Sequence, residues 1–534
     1  MSFLRRAVAD QRGFTMVTVM LSMMIVGVFA VGAYTAVNGN IPTARADQDR
    51  HRAYEAAQAG IEWYAYQLGR DPNYWTGCAV AGDPVVQKWS GTGADTRTGH
   101  YYTIPGSDEQ FVIELMPAPG YTSCSTSAAD KSMLDGGNLR IRATGLARGD
   151  KRQIVATFRR KTFLNYIYFT DRETLAPAAY AAYPAYVAAG YNAAWAATNC
   201  APIRSARNVN CVNIQFAPTD FIKGPLHTND ESALICDSPT FGRDKGDAIE
   251  IVGTGANPSA ATVFKASGGC SNAPNVQGKL IPNSSTLDLP PSNSTLSSVA
   301  DFTYKGLTCL DFQTDGSIRV YNTSNNAGKP IEQMCGGTLT ATIPNRPSTV
   351  IYVDNTAAGC SAGYAYVQKY DNPASCGDVI VKGTNPNAVT VAATNDVIVG
   401  NNLLRSGSGI TGLIANNFVR VYHPRKSDGT CADAAALGSG LGYPNTIDAA
   451  ILALSQSFIV DNWDCGAKRG DLAVTGTIAQ KWRGPVGTSG TPGTGYIKAY
   501  QYDDRLRYTS PPQFLDPVKA AWGTLRKSEQ APAT

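Results

Sequence analysis

Asp503-Asp504, flanked by Tyr502 and Arg505, and Asp461 with Asp464 are the carboxylate pairs best placed to do chemistry in this chain. Glycoside hydrolysis needs two carboxyl groups about 5–9 Å apart, one of them protonated. Neighbours on a strand point to opposite faces, so Asp503 and Asp504 do not share a site there. Arg505 is also a ready ion-pair partner for either. His227 stands beside Asn229 and Asp230, but no second His lies at ligand spacing, and a structural turn role is expected for it. The sequence holds four His and no Gly-x-Ser-x-Gly, phosphate-loop or His-Glu-x-x-His pattern. No catalytic residue, metal site or cofactor is expected, and the chain reads as a non-enzyme.

Redox chemistry is the other possibility, since there are 12 cysteines: Cys78, Cys124, Cys200, Cys211, Cys236, Cys270, Cys309, Cys335, Cys360, Cys376, Cys431 and Cys465. None is spaced Cys-x-x-Cys, which argues against a zinc or dithiol redox site. An even number of scattered cysteines suits disulfides in an oxidising exterior. Cys200–Cys211 and Cys360–Cys376 are the closest pairs and suggest a consecutive-neighbour scheme, although spacing leaves the connectivity open. Each bridge over a loop of this order contributes about 3 kcal/mol.

These residues must be carried by something, and the front of the chain says what. Met1 to Gly13 is short and basic, with Arg5, Arg6 and Arg12 against Asp10. From Phe14 an uncharged run extends to Asn40. As a helix its apolar part is about 36 Å long, enough to span a hydrocarbon core of about 30 Å. A secretory signal has an apolar region of only about 7–15 residues. A single-pass anchor fits the length, and the basic flank favours an N-in orientation. From Thr43 to Arg70 the helix turns amphipathic, with Ala53, Ala56, Ala57, Gly60, Ile61, Tyr64 and Leu68 three to four residues apart. Small residues on that stripe permit close approach to a neighbour. Gly69 and Asp71-Pro72 are stop signals, and Pro42 is expected to kink the helix or mark its change of environment.

The junction Arg12-Gly13-Phe14-Thr15, with charge on one side and hydrophobe on the other, resembles the processing site of type IV prepilins. The stretch Ala53 to Trp63 is similar to one found in minor pilins and large pseudopilins. The resemblance implies cleavage after Gly13 by a prepilin peptidase and methylation of the new N-terminus at Phe14. It also implies residence in the cytoplasmic membrane with the N-terminus inside, and then assembly with other pilin subunits into an extracellular filament. Shaft-forming members carry Glu at the fifth mature position, where it neutralises a neighbour's N-terminal ammonium; Thr18 stands there instead. A buried ammonium without its carboxylate is costly. The departure therefore implies a rare tip or priming subunit. The alternative is a membrane-anchored surface adhesin or polysaccharide-binding protein outside any filament.

Behind the leader (1–13) and the long helix (14–70, with 14–40 in the membrane or filament core) the expected order is as follows. A pilin-like antiparallel β head spans 71–172, with strands at Phe111–Leu115, Leu139–Gly145 and Gln153–Arg159 and a hairpin turn at Arg148-Gly149-Asp150-Lys151. A linker or insertion at 173–216 is rich in Ala and Tyr; exposed Tyr180, Tyr183, Tyr186, Tyr191 and Trp195 would suit stacking on a surface glycan or host ligand. A large all-β domain at 217–446 has short strands with Asn or Gly at the corners, among them Ile318–Val320, Leu339–Ile343, Val379–Val381 and Val397–Val399. Their spacing predicts a parallel β-helix or solenoid. A cap and tail occupy 447–534, with a plugging helix at Asp448–Leu454 and a frayed end from Arg526. The fold class is thus α+β at the N-terminus followed by a large all-β domain. Charged residues make up only 16% and the net charge is +4, so no specific nucleic-acid partner is implied. The densest basic stretch, Arg140 to Lys161, fits the solvent side of a hairpin.

Overall fold

The computed structural model describes residues 14–79, 81–88, 94–117, 124, 134–135, 138–252, 259, 263–266, 269–329, 331–360, 374–424, 430, 441–490, 492–518 and 522–530. They form two compact units, 1–160 with 521–534, and 161–520.

In the first unit α1 (Phe14–Arg70) is a single helix of 57 residues, about 85 Å long. It continues through Pro42, and no break marks the change of environment there. Its amphipathic half buries Ala53, Ala57, Ile61, Tyr64 and Leu68 against a sheet. The strands are β1 (Val85–Gln87), β2 (Tyr102–Thr103), β3 (Gln110–Met116), β4 (Leu134–Asp135), β5 (Asn138–Ala147) and β6 (Asp150–Arg160). The order is β1-β3-β5-β6, followed by the strand Trp522–Gln530, with β2 on β3 and β4 on β5. Apart from the parallel β1–β3 pair, the sheet is antiparallel. Arg148 (φ 45°) and Gly149 (φ 97°) close the β5–β6 hairpin; positive φ at both central residues matches the right-handed twist of the strands. Helix and sheet come close at Gly145, where a Cβ would lie 2.0 Å from the Ala53 carbonyl oxygen.

The basic stretch is spent within this sheet and beyond it. Arg142 grips buried Glu114 with two bonds of 2.8 and 2.6 Å, Arg152 lies 3.2 Å from Glu529, and Arg160 donates to the Pro72 carbonyl at 3.1 Å. Of the end expected to fray from Arg526, the described part is an ordered strand. Residues 526–530 are hydrogen-bonded to β6, because a strand edge otherwise left open is closed by pairing.

The second unit is mostly β. Its strands stack in parallel ladders. One runs Phe302–Lys305, Ser348–Asp354, Ala388–Ala393, Ile410–Ala415, Thr446–Ala453, Lys468–Arg483, Tyr168–Leu175, Leu226–Thr228, Ala248–Ile251 and Lys279–Pro282. A second joins Thr308–Phe312, Val379–Asn385, Val397–Arg405, Val419–Val421 and Phe458–Val460. A third continues from Lys468–Arg483 through Gly495–Tyr502, Phe221–Lys223, Thr240–Phe241 and Asn275–Val276. The chain therefore enters in the middle of the stack, builds to one end, crosses to the other and returns to its first strand. Inward Val, Ile and Leu side chains make one continuous core. Corner polar groups stack too: Asn417 donates to Asn395 and Asn395 to Asp378, both at 2.6 Å.

Two expectations fail here. Asp448–Leu454 is not a helix: Asp448–Ala453 lies in the strand Thr446–Ala453, flanked in parallel on both sides, and Leu454 follows it. A short apolar run looks alike in a buried helix and a two-sided buried strand. Ile318–Asn322 and Ala341–Ile343 are not parallel rungs; they form an antiparallel meander with Thr308–Phe312. The tight turn at Asp315-Gly316, with Gly316 at φ 87°, leaves no room for a crossover.

Among the described residues, five disulfides join consecutive cysteines: Cys78–Cys124, Cys200–Cys211, Cys236–Cys270, Cys309–Cys335 and Cys360–Cys376. Cys465 is also disulfide-bonded, and Cys431 lies outside the described residues.

Candidate functional sites

Gly13 lies outside the described residues, and Phe14 opens α1. Met16–Thr35 is long and apolar enough to cross a bilayer and none of it is buried. Phe29 and Met23 expose 74% and 71% of their surface, and such a continuous apolar surface exceeds what soluble monomers leave bare. The hydroxyls within it look after themselves. Ser22 donates to the Val19 carbonyl at 2.9 Å and Thr35 to the Val31 carbonyl at 3.0 Å, as side chains do where water is absent. The arrangement can span lipid or pack among similar helices.

The candidate chemical residues lie in the second unit, and Asp503 and Asp504 fall not on a strand but in the helical turn that follows Gly495–Tyr502. Asp503 clamps Arg505 through bonds of 2.6 to 3.1 Å, whereas Asp504 holds Arg243 at 2.7 Å and Arg507 at 3.3 Å. Burial works against ionisation of Asp503, but the Arg505 hydrogen bonds prevail and lower its pKa. The Arg243 hydrogen bond lowers that of Asp504. Both therefore sit as carboxylates, and neither is the proton donor that a glycosidase needs. Asp461 is buried against Arg420 at 3.0 Å; Asp464 turns outward.

His227 is completely buried. Its Nδ1 is 3.0 Å from Glu250 and its Nε2 3.0 Å from the Asn229 side-chain oxygen. Lys161 and Tyr166 also donate to Glu250, at 3.0 and 2.8 Å. Burial raises the Glu250 pKa, but the His227 hydrogen bond and the Lys161 charge outweigh it and hold the group at about 2. His227 and Glu250 are register partners on adjacent parallel strands, so the cluster braces them; a buried ion set serves packing only when fully paired.

The Ala/Tyr-rich stretch is not an exposed platform. It folds into short helical turns at Pro177–Ala182, Pro184–Ala188 and Ala193–Asn199, and Cys200–Cys211 closes it. Tyr180 is fully buried, and its hydroxyl accepts a 2.8 Å bond from the Val212 amide. Tyr186, Tyr191 and Trp195 are half-buried in edge-on and tilted contacts of 4.5 to 6.2 Å. The aromatic surface is mostly consumed in burying the insertion itself.

Tyr183 borders an open groove of about 430 Å³. Trp463, 6.1 Å from Tyr183 between ring centroids, faces the same groove. Sequence reasoning missed Trp463 and the segments 212–220 and 485–498 that complete the wall. The available signal was a Trp in a turn, between Asn462 (φ 47°) and Cys465.

No family model and no curated protein sequence matches the chain. Among solved structures, the crystal structure of the competence-associated pilin ComZ from Thermus thermophilus aligns over 90% of this chain and 97% of that chain, at 10% identity and a TM-score of 0.31. A likeness that weak carries no weight for fold or function.

Proposed function

We propose that the chain is a minor subunit of a type IV pilus-like cell-surface filament, at its tip or in its priming complex. The observation that carries this reading is the division of α1: one half docks on an antiparallel sheet, and the other, Met16–Thr35, stands bare. Such a helix can rest in the cytoplasmic membrane and then pack among the helices of other pilin subunits. The Gly13-Phe14 junction supplies the substrate for a prepilin peptidase and the amine for methylation. Thr18 in place of the usual Glu disfavours repeated stacking along a shaft, which supports the tip or priming position. Five disulfides support an extracytoplasmic location. The parallel ladders, with pairs such as Val397 with Val419, support reading the second unit as a β-solenoid. We assign the chain no catalytic role.

Mass spectrometry of the N-terminus of protein recovered from sheared filaments tests the proposal. N-methyl-Phe14 is expected. An intact Met1 leader on protein found only in membranes would replace the filament by a simple surface anchor.

A further inference from the structure

We infer that the groove between Tyr183 and Trp463 is a binding site for a neutral saccharide, a short stretch of a surface glycan or polysaccharide. The inference does not depend on filament assembly. At about 430 Å³ the groove lies within the range of small-molecule sites, roughly 300–1,000 Å³. Tyr183 and Trp463 are both half-buried, with their planes inclined by 44°. The two rings form a notch suited to the C–H faces of a pyranose, an apolar surface ringed by hydroxyls. Aromatic side chains favour such ligands because one face is apolar while their edges remain wet.

The polar lining is neutral in the matching way. Asn213, Thr219 and Ser489 reach solvent at the rim, and Gln215 and Thr488 lie deeper. The segment Gly487 to Gly490 adds main-chain groups held close by Gly487, where a Cβ would meet the Thr494 carbonyl oxygen at 2.5 Å. A purely apolar ligand would strip water from these amides and hydroxyls without replacing its bonds.

Charge argues against an ionic ligand. Of the charged residues lining the groove, Asp220 and Lys498 are both buried and neutralise each other at 2.6 Å. Asp220 also accepts a 2.7 Å bond from the Ala217 amide. That leaves Lys468 at the exposed edge, too little for an acidic polysaccharide.

The test uses the full chain in detergent, titrated by calorimetry with neutral cello-, manno- and chito-oligosaccharides. Alginate oligosaccharides and short uncharged peptides are run alongside. At least one neutral series should bind in the micromolar to millimolar range, and Trp463→Ala should weaken it about tenfold. Thr219→Arg, at an exposed rim position, should block the groove and leave the melting curve unchanged, so it decides the matter if Trp463→Ala does not fold. The inference is overturned if no neutral series binds at millimolar concentration. It is equally overturned if alginate or peptide binds in preference, or if binding survives Thr219→Arg undiminished.

Discussion

Replacing Gly145 by alanine adds one methyl group at the point where β5 meets α1. That Cβ would sit 2.0 Å from the Ala53 carbonyl oxygen and 2.5 Å from the Ala57 amide nitrogen. Non-bonded heavy atoms rest at about 3.5–4.0 Å, so the helix must retreat by more than about 1 Å. Both obstacles are backbone, and no rotamer change relieves them. A gap of that size forfeits roughly a quarter to a half of each dispersion contact it opens. The contacts at risk belong to Ala53, Ala57, Ile61, Tyr64 and Leu68, all buried. Overpacking typically costs about 1–3 kcal/mol, and a backbone clash belongs at the upper end, about 3 kcal/mol. The control is Gly60→Ala, whose Cβ meets the Phe111 ring at 2.9 Å. Phe111 Cγ and Cβ lie at 3.1 and 3.3 Å, so the side chain must yield by a few tenths of an ångström; the helix gains about 1 kcal/mol from replacing glycine, and the net cost should stay well below that of Gly145→Ala. Hydrogen exchange read peptide by peptide reports the first unit separately. Protection in β5, β6 and residues 53–68 should fall about a hundredfold for Gly145→Ala and little for Gly60→Ala. Equal effects of the two, or unchanged protection in Gly145→Ala, would refute the close-packed docking of α1.

Glu250 makes the second unit acid-sensitive. Its folded pKa of about 2 lies below the ordinary 4.5, so its stabilisation is full above about pH 4.5 and is lost as pH falls towards 2. The loss amounts to about 3 kcal/mol; urea midpoints taken from pH 5 to 2 should fall accordingly, and Glu250→Gln should flatten that slope while lowering stability at pH 7. Trp522 pins the last strand: its indole N–H donates to the Pro72 carbonyl at 2.8 Å, and the Arg160 guanidinium lies 5.1 Å from its ring. Trp522→Ala should cost about 3 kcal/mol and expose β6 to exchange, while exchange in the second unit stays as it was.

Much of the scaffold was legible because its signals are local. The small-residue stripe from Ala53 to Leu68 is a helix face whichever partner covers it, and Arg148-Gly149 closes a hairpin on its own backbone preferences. The strands at Val379, Val397 and Val419 were readable from their corner asparagines. Errors fell where one pattern serves two structures. Asp448–Leu454 is apolar enough for a buried helix or a buried strand, and its ladder neighbours decide between them. The tyrosines from Tyr180 to Tyr191 suggested an exposed platform, but edge-on packing within the insertion and the Cys200–Cys211 closure turn most of them inward. The polar end from Arg526 gave no hint of a strand, since its pairing depends on an edge more than 360 residues earlier in the chain, at β6.

By itself the chain's residue order determines one apolar rod, its change to an amphipathic stripe, the Gly13-Phe14 junction and a supply of cysteines for bridging. These depend on neighbours within a few helical turns, or on composition. Only the tertiary structure decides that Tyr168–Leu175 enters the ladder between Lys468–Arg483 and Leu226–Thr228. It alone brings Tyr183 beside Trp463. Parallel pairing joins strands through long crossovers, and an apolar strand can in principle pair with many others. The choice among them is made by which neighbours bury both faces at once, a property of the assembled stack.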